Sequence, residues 1–183
     1  PGQKGPNKDF LVRSYVLGDN LDLIEDYAVA VLLRAFFTDQ SSPLKREIEK
    51  QGLASSTSTM DFGGPNNGWA FLIEGGSKKN IKKIEALIDK ALLEASEKGV
   101  DQELLFAMLN NYEFHLKESQ GNGSLRGMSL SHRVFNQWLH NKHPLKATIH
   151  IAQRFKDLRE KFKDPEFSKN IFKKFFLKNA NKR

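Results

Sequence analysis

The chain has 183 residues, of which 39% are hydrophobic and 28% are charged, so it is long enough for one globular domain and unlike a disordered protein. It contains no cysteine, which excludes disulfide bonds, thiolate metal ligands and a cysteine nucleophile, and which is consistent with a reducing compartment. No apolar run approaches the ~20 residues that cross a bilayer, and no signal peptide is visible. Because the first residue is Pro1 rather than Met, we expect a processed product or a piece of a longer protein.

The formal net charge of +7 is concentrated near the C-terminus. Residues 141–183 contain 13 Lys or Arg and 4 Asp or Glu, whereas residues 1–140 contain 16 basic and 18 acidic side chains. A basic surface can attract nucleic acid, an anionic membrane or an acidic protein. The interpretation that we favour is a solvated lysine face on helices that pack through a phenylalanine stripe, and no nucleic-acid-binding motif accompanies the charge.

The first half of the chain predicts strands and helices in alternation. Residues 1–8 are rich in Pro, Gly, Asn and Lys and predict a flexible lead-in. The β-branched and aromatic run over 10–17 predicts a strand, and apolar residues at three- and four-residue spacing predict a helix over 21–37. A short second helix is predicted from the N-cap Ser42 to its stop at Gly52.

A hairpin and five more helices are predicted to follow. The strands of the hairpin cover 53–62 and 68–74, with a cluster of turn-forming residues between them. Apolar periodicity and helix stop signals predict helices over 78–98, 101–118, 128–140 and 144–163, and from 165 onward.

This order predicts an α+β fold in which an antiparallel sheet has helices packed on one face, followed by a C-terminal group of three helices. We expect residues 9–183 to form a single domain. Its sheet-and-helix part covers about 9–119, and its helical part covers about 125–178.

The residues give no catalytic motif. A zinc peptidase needs H-E-x-x-H or the inverted H-x-x-E-H, but Ser119 stands where a second histidine would follow His115 and Glu118. A zinc site, and with it a self-contained hydrolase, built from His132, His140 and His143 is an alternative to surface histidines around a helix–helix turn. There is no G-x-S-x-G and no P-loop. We therefore predict no catalytic residue and no metal ligand, and leave the substrate-binding residues unassigned.

The last helix allows a second interpretation. Its lysines alternate with aromatic residues, as in an amphipathic helix that lies on a membrane surface. The residues concerned are Lys173, Lys174 and Lys178 beside Phe172, Phe175 and Phe176. A helix packed on the core, with its lysines in water, shows the same pattern.

Several passages, in their order and spacing, resemble the pitrilysin-type zinc metallopeptidases, and in particular the presequence protease and falcilysin-like branch. These passages are the strand over 10–17, the turn Ser41-Ser42-Pro43-Leu44-Lys45, the hairpin through Gly68-Trp69-Ala70-Phe71, the helix over 81–95, the turn Glu97-Lys98-Gly99-Val100, Tyr112-Glu113-Phe114, the stretch from Trp138 to Leu145, and Leu177-Lys178-Asn179. The last passage departs from the family, since Ala180 and Asn181 replace Pro and His.

The resemblance implies a metallopeptidase-like α/β roll, one of four homologous domains that form a closed chamber. It implies that zinc and the catalytic residues belong to other domains of the parent enzyme, a zinc metalloendopeptidase. This chain would be the non-catalytic second domain, without its final strand and inactive alone. The implied partners are the zinc domain and C-terminal half of the same polypeptide, and short unfolded peptides; no nucleic acid is expected. The resemblance does not assign a compartment; the absence of cysteine is consistent with a reducing one, the cytoplasm or an organelle matrix.

Two further hypotheses concern binding. The strand over 53–62 is rich in Ser and Thr and could pair with a peptide backbone at the sheet edge, which Thr57→Pro would test. The alternative to a peptidase domain is a stand-alone binding module that contacts an anionic partner through its basic C-terminal helices.

Overall fold

The computed structural model describes residues 9–18, 22–62, 66–117, 126–139 and 150–179. Within them, three strands form one antiparallel sheet in the order β1-β3-β2. The strands are β1 (Phe10–Gly18), β2 (Ser56–Phe62) and β3 (Asn67–Glu74). The helices are α1 (Leu23–Leu33), α2 (Pro43–Lys50), α3 (Ile81–Lys98), α4 (Gln102–Lys117), α5 (Arg126–Leu139), α6 (Ile151–Phe162) and α7 (Pro165–Phe172). The predicted α+β fold is confirmed.

Some boundaries differ from the prediction. β2 begins at Ser56, three residues later than predicted, because Leu53 still donates its N–H to the Ile48 carbonyl at 3.0 Å. The helix expected from 144 is described from Ile151. The lead-in over 1–8 and the hairpin turn over 63–65 lie outside the described residues. The single-domain limits of 9–183 stay a prediction.

Local signals set the helix starts. The Asp22 carboxylate accepts the N–H groups of Ile24 and Glu25 at 2.7 and 2.8 Å, which caps α1. Ser42 caps α2 by accepting the N–H of Lys45 at 3.3 Å, and its hydroxyl donates back to the Phe36 carbonyl. Such caps contribute about 1 kcal/mol each.

Two helices end in wide π-helical turns. Arg34–Thr38 follows α1, and Lys173–Leu177 follows α7. Each turn closes with an i→i+5 hydrogen bond, to the Arg34 carbonyl and to the Lys173 carbonyl respectively. Each turn also carries two consecutive phenylalanines that are both buried.

The core lies between these turns and one face of the sheet. Phe71 of β3 is fully buried, and its ring centre lies 4.5 Å from that of Phe37 and 6.2 Å from those of Phe36 and Phe176. Tyr15 of β1 meets Phe176 edge-on at 5.1 Å. Burying side chains of this size stabilises the fold by about 1.5–3 kcal/mol each.

α6 and α7 belong to the same core. Their aromatic stripe is buried, through Phe155, Phe162 and Phe172. The favoured interpretation of the basic C-terminal region, a solvated lysine face over a packed phenylalanine face, therefore agrees with the structure. The membrane-surface interpretation of the last helix is wrong, because the phenylalanines that it would insert already face the core. No helix of the described ranges has both the length and the apolar character needed to span a bilayer.

Candidate functional site: the open face of the sheet

The face of the sheet that points away from the helices is mostly apolar. Strand pairing places Val12 beside Leu72, and Met60 beside Ala70, on this face. Its exposed large side chains are Phe10, Val12, Val16, Met60 and Phe62. Side chains of paired residues lie about 5 Å apart, so these groups form one continuous surface, here called the open face.

The open face departs from the usual alternation of an antiparallel sheet. When one side meets water, that side normally carries polar residues. Here the register gives the open face three serines, Ser14, Ser56 and Ser58, and one ionisable side chain from the three described strands, Glu74, at its corner beside Phe10. A contiguous exposed apolar surface of this kind marks an interface or a binding surface.

The opposite face holds the buried charge. The Arg13 guanidinium lies against the Asp89 carboxylate of α3 and donates to the Glu85 carbonyl at 3.4 Å. It also lies 5.5 Å from the ring centre of Tyr15. Burial raises the pKa of Tyr15 to about 12, although Arg13 acts in the opposite direction. These contacts fix β1 to α3, so Arg13 has a structural role.

Of the three histidines considered as zinc ligands, the structure describes only His132, so it does not test whether they come together. His115 is exposed on α4, and His132 is exposed on α5. Glu118, Ser119, His140 and His143 lie outside the described residues. Among those that are described, no group of three or more His, Asp or Glu is arranged to hold a metal ion. A site that uses His140 or His143 therefore stays an untested prediction.

The edge position assumed for the strand over 53–62 agrees with the structure, but the substitution suggested to test peptide pairing is unsuitable. β2 is an edge strand of the three-stranded sheet. However, Thr57 is buried, and its hydroxyl donates to the Phe37 carbonyl at 3.3 Å. Thr57→Pro would disturb the core whether or not a peptide binds, so it cannot test the hypothesis. Pairing with a peptide stays a prediction.

A groove on the helical side has a volume of about 300 Å³. It lies between α2, the turn after α1, and the junction of α3 with α4. Its floor includes three alanines, and Glu94, Lys98 and Asp101 also line it. Nothing in its chemistry favours a particular ligand over an apolar side chain.

Comparison with known sequences identifies relatives of this chain. No protein-family model matches the chain. Presequence protease 1, chloroplastic/mitochondrial, of Arabidopsis thaliana is 27% identical over 96% of the chain, and the mitochondrial presequence protease of Yarrowia lipolytica is 26% identical over 91% of it. The chain is related to the presequence proteases. It spans 17% of the length of each of these two presequence proteases.

Solved structures agree on the fold. The inactive peptidase domain of a protein described as a zinc protease, from Bordetella parapertussis, superposes with a TM-score of 0.67 at 13% identity, over 95% of this chain and 88% of that one. Pitrilysin superposes with a TM-score of 0.58 at 19% identity, over 88% of this chain and 18% of that one. The resemblance to the presequence protease branch is therefore confirmed, with the fold of a pitrilysin-type peptidase domain.

Sequence reasoning identified this relationship but missed the open face. The signal was present in 10–17, where residues on both sides of the strand are apolar. Arg13 favoured the wrong face as the one exposed to solvent, because an arginine in a strand normally indicates the side that faces water.

Proposed function

We propose that this chain is the non-catalytic second domain of a zinc metallopeptidase related to the presequence proteases. In this proposal, the open face lines the chamber in which the parent enzyme degrades short unfolded peptides. Zinc and the catalytic groups belong to another domain, and this chain alone is inactive. The observation that carries the proposal is an apolar, nearly uncharged sheet face on a domain with a peptidase fold.

The open face suits unfolded peptides for a physical reason. An unfolded peptide exposes apolar side chains in no fixed order, and apolar contact is non-directional. A surface formed by Phe10, Val12 and Met60 can therefore hold many sequences without selecting one. The helices behind the sheet supply the rigid support that such a wall needs.

The second part of the proposal is that this domain supports the zinc domain by packing against it. The support for this is the length of the relatives, since both presequence proteases carry far more chain than this one. Both are named for mitochondria or chloroplasts. The absence of cysteine is compatible with a reducing organelle matrix, which we propose as the compartment.

A matched pair of lysine substitutions tests the wall in the complete polypeptide that contains this chain. Val12 on the open face and Leu93 on α3 are both 49% exposed. We expect Val12→Lys to lower kcat/KM for an unfolded peptide of about 20 residues roughly tenfold, mainly through KM, because about 1.4 kcal/mol of apolar contact is lost. Leu93→Lys is expected to leave kcat/KM for the same peptide unchanged.

Zinc content and thermal stability are measured on both variants, and both are expected to match the parent. Equal effects of the two substitutions would count against the open face as the chamber wall. A complete polypeptide without zinc or peptidase activity would overturn the proposed function itself. Peptidase activity of residues 1–183 alone would support the histidine-cluster hydrolase instead.

A further inference from the structure

Glu74 is the one ionisable side chain that the three described strands place on the open face. It is the last residue of the central strand β3, and it pairs with Phe10 of β1 on one side and with Ser56 of β2 on the other. The side chains of paired residues lie about 5 Å apart, so Glu74 has an aromatic ring and a hydroxyl as neighbours. Glu74 is half-buried, whereas Phe10 is 66% exposed.

The described residues give the Glu74 carboxylate no cationic partner. Their ion pairs do not include it, and it is the Glu74 carbonyl that accepts the N–H of Ser55 at 2.8 Å. The arginine of β1, Arg13, is held on the opposite face of the sheet by Asp89. A carboxylate that loses water without gaining a partner costs free energy. Glu74 therefore limits what can cover this corner of the open face.

A lysine or an arginine of a bound peptide satisfies this limit. Both side chains lay an aliphatic stem along an apolar surface and reach a polar partner with the charged end. At this corner the stem meets the apolar part of the open face, and the charged end meets the Glu74 carboxylate. The Ser56 hydroxyl can accept a further hydrogen bond from the cation, and the ring of Phe10 attracts positive charge. An apolar side chain over Glu74 would only remove its water, and an acidic one would repel it.

Resting on the proposed function, we propose that Glu74 is a specificity-determining residue, which favours unfolded peptides that carry Lys or Arg among apolar residues. The apolar part of the open face holds peptides of any sequence, and Glu74 adds a preference for their charge. The preference comes from rejection of acidic peptides as well as from attraction of basic ones. Because Glu74 keeps some contact with water, its contribution is moderate, about three- to fivefold in kcat/KM.

The test uses three N-acetylated unfolded peptides that are identical except at evenly spaced positions, which are all Lys, all Gln or all Glu. Even spacing brings one of these side chains within reach of Glu74 in any register. In the complete polypeptide, we expect Glu74→Gln to lower the ratio of kcat/KM for the Lys peptide to kcat/KM for the Gln peptide about three- to fivefold, mainly through KM. Glu74→Lys should lower this ratio further and raise kcat/KM for the Glu peptide. The matched control is Glu97→Gln on an exposed position of α3, which should keep the parent's ratio.

Salt separates a charge preference from a structural role. The difference in this ratio between the parent and Glu74→Gln should shrink as NaCl rises from about 0.05 to about 0.5 M. An equal loss of kcat/KM for all three peptides, or a ratio that Glu74→Gln leaves unchanged, would overturn the inference. The Gln peptide, assayed with Val12→Lys, distinguishes the two proposals. If Val12→Lys lowers its cleavage while the ratio ignores Glu74, only the role of Glu74 fails; if neither substitution has an effect, the open face as chamber wall fails as well.

Discussion

α5 and the pair α6–α7 look alike in sequence and differ in the structure. All three are amphipathic helices with basic residues beside aromatic ones. In α6 and α7 the aromatic side chains pack on the core, with Phe155, Phe162 and Phe172 fully inaccessible to solvent and Phe167 partly buried. In α5 the aromatic side chains Phe135 and Trp138 are exposed.

The difference shows that an amphipathic pattern reports a face that must be covered, and not what covers it. α6 and α7 are covered by their own domain. Arg159 of α6 donates a hydrogen bond to the Glu113 carboxylate of α4 at 3.0 Å. The ring centre of Phe172 of α7 lies 5.4 Å from the ring centre of Phe36. The described part of the chain leaves the aromatic side chains of α5 largely exposed, as it does the large apolar side chains of the open face.

The largest expected effect contrasts a phenylalanine from each region. Phe172→Ala removes a fully buried ring that contacts Phe36 and Phe176, and we expect a loss of about 3–5 kcal/mol in the free energy of unfolding. Phe135→Ala is expected to change it by less than about 0.5 kcal/mol. Urea unfolding of the isolated chain measures both. A large loss for Phe135→Ala would mean that α5 packs within the domain.

A smaller effect is expected where α6 attaches to α4. Partial burial acts to raise the pKa of Glu113, but hydrogen bonds from Lys117 and Arg159 outweigh it and hold that pKa below its ordinary value. Glu113→Gln should therefore cost about 0.5–1 kcal/mol at neutral pH. The lowered pKa means that this contribution is present above pH 4.5 and disappears as the pH falls through the pKa of the folded state.

Unfolding measured from pH 7 to pH 3 checks the pH dependence, and the Glu113→Gln curve should converge on the parent at the acid end. Glu160 is the control, because its ion pair with Lys163 lies within α6 and its immediate end and is well exposed on both sides. A loss for Glu160→Gln as large as that for Glu113→Gln would contradict a specific tie between α4 and α6.

The smallest effect is expected at the surface of the C-terminal helices. Lys174 pairs with Glu25 of α1 and lies 4.6 Å from the ring centre of Phe175. Since exposed ion pairs contribute little, Lys174→Ala should cost at most about 0.5 kcal/mol, and part of it should vanish in about 0.5 M NaCl. Lys156→Ala on α6 serves as the control. A loss above 1.5 kcal/mol would show that the lysine face, and not the phenylalanine face, holds these helices.

Much of the fold could be predicted from the sequence because local signals and periodicity agreed. Ser42, Pro43 and Gly52 bounded α2 as expected, and Gly99 ended α3 with a φ of 80°, a conformation that glycine adopts without strain. The π-helical turns could not be predicted from the sequence, because Phe36 and Phe37 are both buried against Phe71, which is far away in the sequence.

The candidate site was less predictable for a related reason. Alternation in a strand shows that two faces differ, but long-range packing decides which face is covered. Arg13 is on the covered face only because Asp89 of α3 lies opposite it. The sequence alone contains no sign of that partner, since 76 positions separate the two residues.

The two wide turns also bear on how this chain tolerates insertions and deletions. An i→i+5 turn holds one residue more than an ordinary α-helical turn. Loss of one residue from Arg34–Thr38 or Lys173–Leu177 could be absorbed by closing the turn as α-helix. The same loss inside α3 would rotate every later side chain of that helix by about 100°. Related chains can therefore differ in length at these two places and keep the same architecture.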